Sequence, residues 1–319
     1  MPNNEKKTVL PGQQRYVAET DETGLGAVDA VADESAPTGV WAEAWIYLRK
    51  RPLFWGSAVL IFIAVALALV PGLFTSVDPG FCQLDKSLDP PMEGHPFGFD
   101  MQGCDIYSRM IYGARASVSV GVLTTIVVVL IGTFIGALAG YFGGLLDSFL
   151  SRVVDVFYAI PFILAAIVVM QVFKDYRTVW MVVTVLALFG WTNIARITRG
   201  AVMSTKNEEF VTAAKAVGAS RWQILRRHIM PNAAAPIIVY ATVALGTFIV
   251  AEATLSFLGI GLPSDVVSWG GDIAKAQSSL RANPTVLFYP ALALGMTVLS
   301  FIMMGDVVRD ALDPKARKK

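Results

Sequence analysis

Charge is scarce in this chain. Only 16% of its 319 residues are Asp, Glu, Lys or Arg, against about 25% in an average soluble domain. Neither sign dominates: 26 basic residues face 25 acidic ones, so no bulk attraction to nucleic acid is expected. The two histidines, His95 and His228, are too far apart in sequence to suggest a metal cluster. The two cysteines, Cys82 and Cys104, are too few for a disulfide scaffold and lack zinc spacing. No Gly-x4-Gly-Lys-Ser/Thr phosphate loop occurs, so the chain does not bind ATP by that route. These absences exclude a disulfide-rich secreted domain, a metalloenzyme and a nucleic-acid-binding regulator.

What the chain has instead is apolar sequence. Hydrophobic residues make up 55% of it, with a mean hydropathy of +0.56. Six stretches carry no formal charge: Pro52–Val77, Ala116–Leu146, Val156–Phe173, Thr178–Ala195, His228–Ala251 and Ala282–Gly305. Each is about long enough for a helix to cross ~30 Å of hydrocarbon at ~1.5 Å per residue. They are continuously apolar and do not alternate, which argues against a β-barrel. The expected fold is an all-α membrane protein with six transmembrane helices, at about 53–74, 116–142, 153–173, 178–198, 233–257 and 285–306. These spans form one permease-sized domain over 46–314, between an acidic, disordered cytoplasmic tail (1–45) and a basic cytoplasmic end (315–319). The tail has no apolar core and does not read as a secretory leader. Within its end, Trp41–Arg51 is expected to form a short amphipathic helix on the membrane surface. No internal repeat is visible.

With both termini on the cytoplasmic side, 19 of the 26 basic residues fall in inner segments and 7 in outer ones. The positive-inside rule favours that orientation. The outer loop of about residues 75–115 then holds Cys82 and Cys104 in an oxidising compartment. A bridge between them would close a loop of about 23 residues, worth roughly 3–4 kcal/mol on the chain-entropy model; two unpaired thiols sharing a loop is the alternative.

The longest inner loop lies between spans four and five and reads NEEFVTAAKAVGASRWQILRRHIMPN from Asn207 to Asn232. Asn207 is expected to cap a helix with Glu208 and Glu209 in its first turn. Phe210, Ala213, Ala214 and Val217 fall on one face of it, and Gly218 suits a left-handed stop. Ser220 and Gln223 have the spacing of a capping box for a second helix, which Pro231 is expected to break or kink. A helix–corner–helix results, with small residues that let another surface approach. A plain connecting loop and a DNA-binding helix-turn-helix are the alternatives, the latter weakened by the tether to two spans.

The run Thr212-Ala213-Ala214-x3-Gly218, followed by Met230-Pro231, resembles the coupling motif of ABC importer permeases, Glu-Ala-Ala-x3-Gly-x9-Ile-x-Leu-Pro. The phrase GASRWQILRRHIMPN is closer to the dipeptide, oligopeptide and nickel branch than to sugar permeases. Residues 95–121, 251–263, 268–273 and 305–314 are similar to that branch as well, so the resemblance covers about residues 45–314. It implies the second permease of a pair, in an importer of di- or oligopeptides in the cytoplasmic membrane. It also implies the partners: a second permease subunit, two cytoplasmic ATPases, an extracytoplasmic substrate-binding protein and membrane lipid, with no nucleic acid. The chain itself would have no cofactor and no catalytic residue; ATP and Mg belong to the partner ATPases. Thr212, Ala213, Ala214, Gly218, Ala219, Ser220, Met230 and Pro231 would form the ATPase-coupling loop. Thr212 stands where the family often has Glu, which removes any salt bridge that Glu would make. Cys104 stands where Arg is common, which supports the Cys82–Cys104 bridge. Nickel or another small solute is the alternative cargo, and a stand-alone secondary transporter an alternative class. An intramembrane enzyme would need a nucleophile–base pair or metal cluster that the spans do not contain.

Polar residues inside the spans are candidates for pathway or interhelical roles. Glu252, in an otherwise apolar fifth span, would line the pathway or pair with the partner permease. Asn193 is expected to hydrogen-bond between helices, and Asp155 to pair with Arg152 at i+3. Pro161 should kink the third span. Gly132, Gly136 and Gly140 would seat a close helix crossing in the second.

Overall fold

The structure, a computed structural model, describes residues 40–312. The segments 1–39 and 313–319, with most of the expected tail and all of the basic end at 315–319, lie outside the described residues. In chain order the helices are α1 (Val40–Leu48), α2 (Pro52–Leu69), α3 (Ile106–Phe142), α4 (Gly144–Tyr158), α5 (Phe162–Val172) and α6 (Val179–Thr205). They continue with α7 (Glu209–Ala216), α8 (Arg221–Phe257), α9 (Trp269–Ala276) and α10 (Thr285–Leu312). The only extended pairing among the described residues is three isolated bridges in the segment joining α2 to α3. α2, α3, α6, α8 and α10 are each long and apolar enough to cross a membrane, and α4 with α5 make a pair bent by 76°.

The helical class agrees with the sequence reading; several boundaries do not. α3 starts ten residues before the expected 116, because the Asp105 side chain caps it by accepting from the Ser108 N–H at 2.9 Å. Its charges are absorbed by protein: Arg109 reaches Asp272, and Arg115 donates to the Ala68 carbonyl at 3.2 Å. α6 likewise runs past 198 to Thr205, since Arg196 and Arg199 are paired with Asp155 and Asp147. α10 continues beyond 306 to Leu312, and α1 begins inside the stretch taken as tail, where Ala44 packs against Val239 and Leu312. The expected third span over 153–173 is two helices. At Pro161 the ladder opens, α5 starts again from Phe162, and the turn Ala159–Pro161 is more than a kink. Asp155 pairs with Arg196 across helices at 2.7 Å and not with Arg152 on its own helix.

The closest helix crossing is that of α3 on α6. A β-carbon built at Gly132 would lie 1.8 Å from Ile194 Cγ2, at Gly136 2.3 Å from the Ala195 carbonyl oxygen, and at Gly140 2.8 Å from that of Arg199. Three glycines one turn apart therefore bring two backbones together, and packing between close backbones is what holds helices together in lipid.

At the other end of the bundle, the loop between α2 and α3 is braced by a Cys82–Cys104 disulfide. Gly103 sits beside it with φ +74°, its missing side chain replaced by the Gln83 carbonyl. Phe97 stacks on Tyr289 of α10 at 3.8 Å between centroids. α9, which no sequence pattern announced, is clamped to α3 from three directions. The Trp269 indole donates to the Met110 carbonyl at 2.8 Å, the Trp269 N–H to Ser117 at 3.3 Å, and Arg109 holds Asp272 through Nε at 3.0 Å and through a second guanidinium nitrogen.

Two outcomes follow for stability. Replacing Gly136 by Val should cost about 1–3 kcal/mol or prevent accumulation, read as a lower melting temperature in detergent, whereas Gly200→Ala, with open space around it, should leave it unchanged or slightly raised. The Arg109–Asp272 pair is about nine-tenths buried on both sides. Burial raises the Asp272 carboxyl above the usual carboxylate range more strongly than the guanidinium lowers it, so desolvation outweighs pairing there. Arg109→Met alone should therefore cost ~3–5 kcal/mol by stranding Asp272. The double variant Arg109→Met, Asp272→Leu should recover most of that loss in the same melting assay.

Candidate functional site

The segment with the strongest sequence signal folds as a corner between α6 and α8. Glu208, not Asn207, stands at the N-terminal cap of α7; the Asn207 amide instead donates back to the Met203 carbonyl at 3.1 Å, prolonging the end of α6. α7 then stops where Gly218 takes φ +87°, with the Ala219 N–H reaching back to the Ala214 carbonyl at 3.1 Å. That six-to-one bond is the Schellman stop, which satisfies carbonyls the helix end would orphan. Ser220 restarts the chain as a helix by accepting from the Gln223 N–H at 3.3 Å.

The expected break at Pro231 does not occur. Leu225–Ile229 adopt a π-turn, and the Asn232 amide donates to the His228 carbonyl at 2.6 Å. The change of register absorbs the missing donor of Pro231, so α8 is continuous from Arg221 to Phe257. The corner is thus the first turn of a spanning helix.

Its sides are distinct. Val211, Ile224, Leu225 and Ile229 are buried with Ala137 of α3 and Val202 of α6, which seats the corner on the bundle. Thr212, Ala213, Gly218, Ser220 and Pro231 are exposed, with Ala214, Ala219 and Met230 half-buried. Of the expected apolar face of Phe210, Ala213, Ala214 and Val217, Ala214 packs against the buried cluster and the other three are exposed; Val217 is 88% exposed and Trp222 60%. The inward anchor is Val211, one position off that face, which helical spacing from Phe210 did not select. A β-carbon on Gly218 would meet nothing within 4 Å, so the corner offers a small-residue surface flanked by exposed Val217 and by Trp222, whose ring packs edge-on against Phe142.

The remaining candidates lie elsewhere. Glu252 is fully buried in this chain's own interior, where Ser256 donates to it at 2.7 Å and the hydroxyls of Ser117 and Ser268 also converge on it. It sits where α8 meets α3 and the start of α9, with its second carboxylate oxygen buried and without a hydrogen-bond partner. Beside it a β-carbon on Gly270 would lie 2.5 Å from the Ala253 backbone, so α9 rests directly on α8. Asn193 is exposed on α6, with the Tyr240 side chain of α8 beside it on the wall of one cavity. Cys82 and Cys104 are at the α9 end, far from the corner along the chain's fold. Among the described residues no group of three His, Cys, Asp or Glu is placed to hold a metal ion.

Comparison with known proteins gives this geometry a context. Residues 132–318 match the family described as binding-protein-dependent transport system inner membrane component. The chain is 35% identical over 298 residues to the oligopeptide transport system permease protein OppC of Bacillus subtilis (strain 168), covering 93% of this chain and 97% of that protein. It is 36% identical over 294 residues to the glutathione transport system permease protein GsiD of Shigella flexneri serotype 5b (strain 8401), covering 92% and 96%. Among solved structures, the inward-facing MetNI methionine ABC transporter superposes with a TM-score of 0.53 at 22% identity, over 64% of this chain and 96% of that one, a likeness of fold. The α7 corner, the bundle that seats it and these matches agree: the chain belongs to the binding-protein-dependent transport system inner membrane components, the multi-pass permease subunits of ABC importers.

Proposed function

We propose that this chain forms half of a pathway by which di- or oligopeptides are imported across the cytoplasmic membrane, with the α7 corner as the docking point of an ATPase. The reading rests chiefly on the corner itself: a glycine-stopped helix with an outward apolar face, continuous through α8 with the spanning bundle. The peptide cargo is supported by the two curated relatives, whose names give an oligopeptide and glutathione, itself a short peptide. As a member of this family the chain is a transport subunit and not an enzyme, and ATP is hydrolysed by separate subunits.

In this reading the α7 end of the bundle and both termini face the cytoplasm, which the distribution of Lys and Arg favours. The disulfide-braced loop and α9 then face the side from which an extracytoplasmic binding protein delivers cargo. One second permease and two ATPases complete the assembly, and Mg and ATP sit in the ATPases. Thr212, Ala213, Ala214, Gly218, Ala219 and Ser220 form the docking surface, while Met230 and Pro231 join it to the span. An ATPase that closes on nucleotide pushes on Val217 and the Gly218 corner. Val211, Ile224 and Ile229 pass that displacement to α6 and α8, because packed side chains shift together and do not compress.

Two measurements test this. Purification in mild detergent from the native membrane should recover a second six-span permease and phosphate-loop ATPases, and the reconstituted complex should take up a labelled tripeptide only with ATP and binding protein. Recovery of the chain alone, active without ATP, would overturn the importer assembly. In the same complex, Gly218→Leu should lower ATPase co-purification and uptake at least ~10-fold with membrane insertion unchanged, since it adds both bulk on the docking surface and strain at a positive φ. Unchanged uptake and unchanged co-purification would remove the corner from the coupling role.

A further inference from the structure

One face of the bundle is unsuited to lipid. At the α4–α5 break Tyr158, Ala159, Ile160 and Pro161 are exposed where the helical ladder is open. Irregular backbone at hydrocarbon depth persists only where protein covers it or a water-filled cavity meets it. The same face continues in polar side chains. Asn193 is exposed on α6, and one turn on Arg196 pairs with Asp155 at 2.7 Å while its guanidinium lies 4.0 Å over the Tyr158 ring. Asn193 stands fourteen residues into α6, about 21 Å of rise, within the ~30 Å hydrocarbon thickness. The outward face of α2 is the contrast: Phe62 and Leu69 are 73% and 70% exposed with no polar neighbour on that helix turn, as lipid requires.

At the break this face is hollowed into a cavity of about 370 Å³, between the rings of Phe157, Phe162 and Phe248. Asn193, Tyr240 and Thr247 supply its polar wall, and no charged side chain lines it. The Asn193 amide and the Tyr240 hydroxyl stand close together on this wall. An amide has two donors and two acceptor positions, so one such neighbour leaves most of its capacity free. Covering it with an apolar helix of another subunit would strand those groups at a cost of ~1–3 kcal/mol each.

We propose that this cavity is a transit site on a water-filled pathway, where the Asn193–Tyr240 pair reads the main-chain amides of a passing peptide. A peptide bond presents N–H and C=O side by side, which an amide side chain can match with its own acceptor and donor. The aromatic walls supply contact area for side chains of any shape. Without a charge of its own, the site neither rejects nor traps Lys or Glu residues in the cargo. The volume falls in the ~300–1,000 Å³ range of small-molecule sites, enough for part of a peptide at a time. The proposal rests on the peptide reading given above; the aqueous nature of the face does not.

The test therefore has two arms, both in the full complex with its partner subunits. In the first, Asn193→Cys, Thr247→Cys and Phe62→Cys are exposed to a charged, hydrophilic methanethiosulfonate reagent. The first two should be modified at least tenfold faster than Phe62→Cys; equal, slow modification of all three would overturn the aqueous cavity whatever the cargo. In the second, Asn193→Leu and Tyr240→Phe should each raise the ATP consumed per tripeptide carried at least fivefold. An unchanged ratio in both variants would overturn the transit role, and so would loss of the second permease from Asn193→Leu preparations, which would make the face a subunit interface. A wild-type complex that carries another solute and no peptide would overturn the main-chain reading while the labelling result still decides whether the face is wet.

Discussion

Backbone N–H and C=O groups in hydrocarbon have no water to bond, and the departures from regular helix among the described residues are best understood against that constraint. The long helices satisfy it internally. The π-turn at Leu225–Ile229 keeps α8 continuous across Pro231, with the Asn232 amide covering a carbonyl in the stretch where the register changes. The start of α9 is covered by side chains of a spanning helix, Ser117 accepting the Trp269 N–H. At the α4–α5 break the Ala159 and Ile160 N–H groups bond the Asp155 and Phe157 carbonyls, but no side chain caps the first turn of α5, and that is what makes the break informative about its surroundings.

The same economy governs charge. Arg109, Arg196 and Arg199 lie on spanning helices, and each finds a carboxylate on another element: Asp272 on α9, Asp155 and Asp147 on α4. Lys206 ends α6 by donating to the Gly140 carbonyl at 2.7 Å, beside the glycine crossing. Each pair holds an amphipathic or short element onto a long one. α4, with its two aspartates, is attached to α6 by ions on one side and joined to α3 by a two-glycine turn at Gly143 and Gly144, both at positive φ. Removing water from these charges is costly, so they act as locating pins for elements that apolar packing alone would leave free to slide.

These particulars explain how far the sequence could be read. Charge-free length found the spans, the Gly132–Gly136–Gly140 spacing found the closest crossing, and the Ser220 cap and Gly218 stop were visible as local patterns. The span ends were not, because a charge looks like a boundary until its partner is known, and Asp272 lies far along the chain from Arg109. Asp155 had Arg152 at helical spacing and Arg196 nowhere near in sequence, yet Arg196 holds it. Glu252 looked like a residue awaiting cargo or a second subunit; within this chain it is fully buried, with Ser256 of its own helix donating to one carboxylate oxygen and the other left without a hydrogen-bond partner. α9 is short and carries two adjacent glycines, so its apolar spacing of Trp269, Ile273 and Ala276 covers only two turns, and the packing of Trp269 and Gly270 on α3 and α8 is what identifies it. That Tyr240 stands beside Asn193 was hidden for the same reason as all of these: spacing reports neighbours on one helix and is silent about the next.

One helix connects the parts that matter. α8 begins at the Ser220 corner and passes Tyr240 and Thr247 at the cavity wall. It ends at Glu252 and Ser256, which with Ser117 and Ser268 fasten it to α3 and α9. Its 37 residues rise about 55 Å, so the helix joins the α7 corner to the far end of the bundle. A helix of that length fastened at both ends cannot shift at the corner without moving the cavity wall. It also carries a load onto α9, because Gly270 leaves no slack between α9 and Ala253. The opposite wall, at the α4–α5 break, hangs on α6 through Arg196 and Arg199, and α6 is held to α3 by its glycines. The two walls of the cavity thus stand on different helices, Tyr240 and Thr247 on α8 and Asn193 and Phe189 on α6. A gap bounded by two helices changes only when one moves relative to the other, which is the geometric requirement for a site that alternately opens and closes.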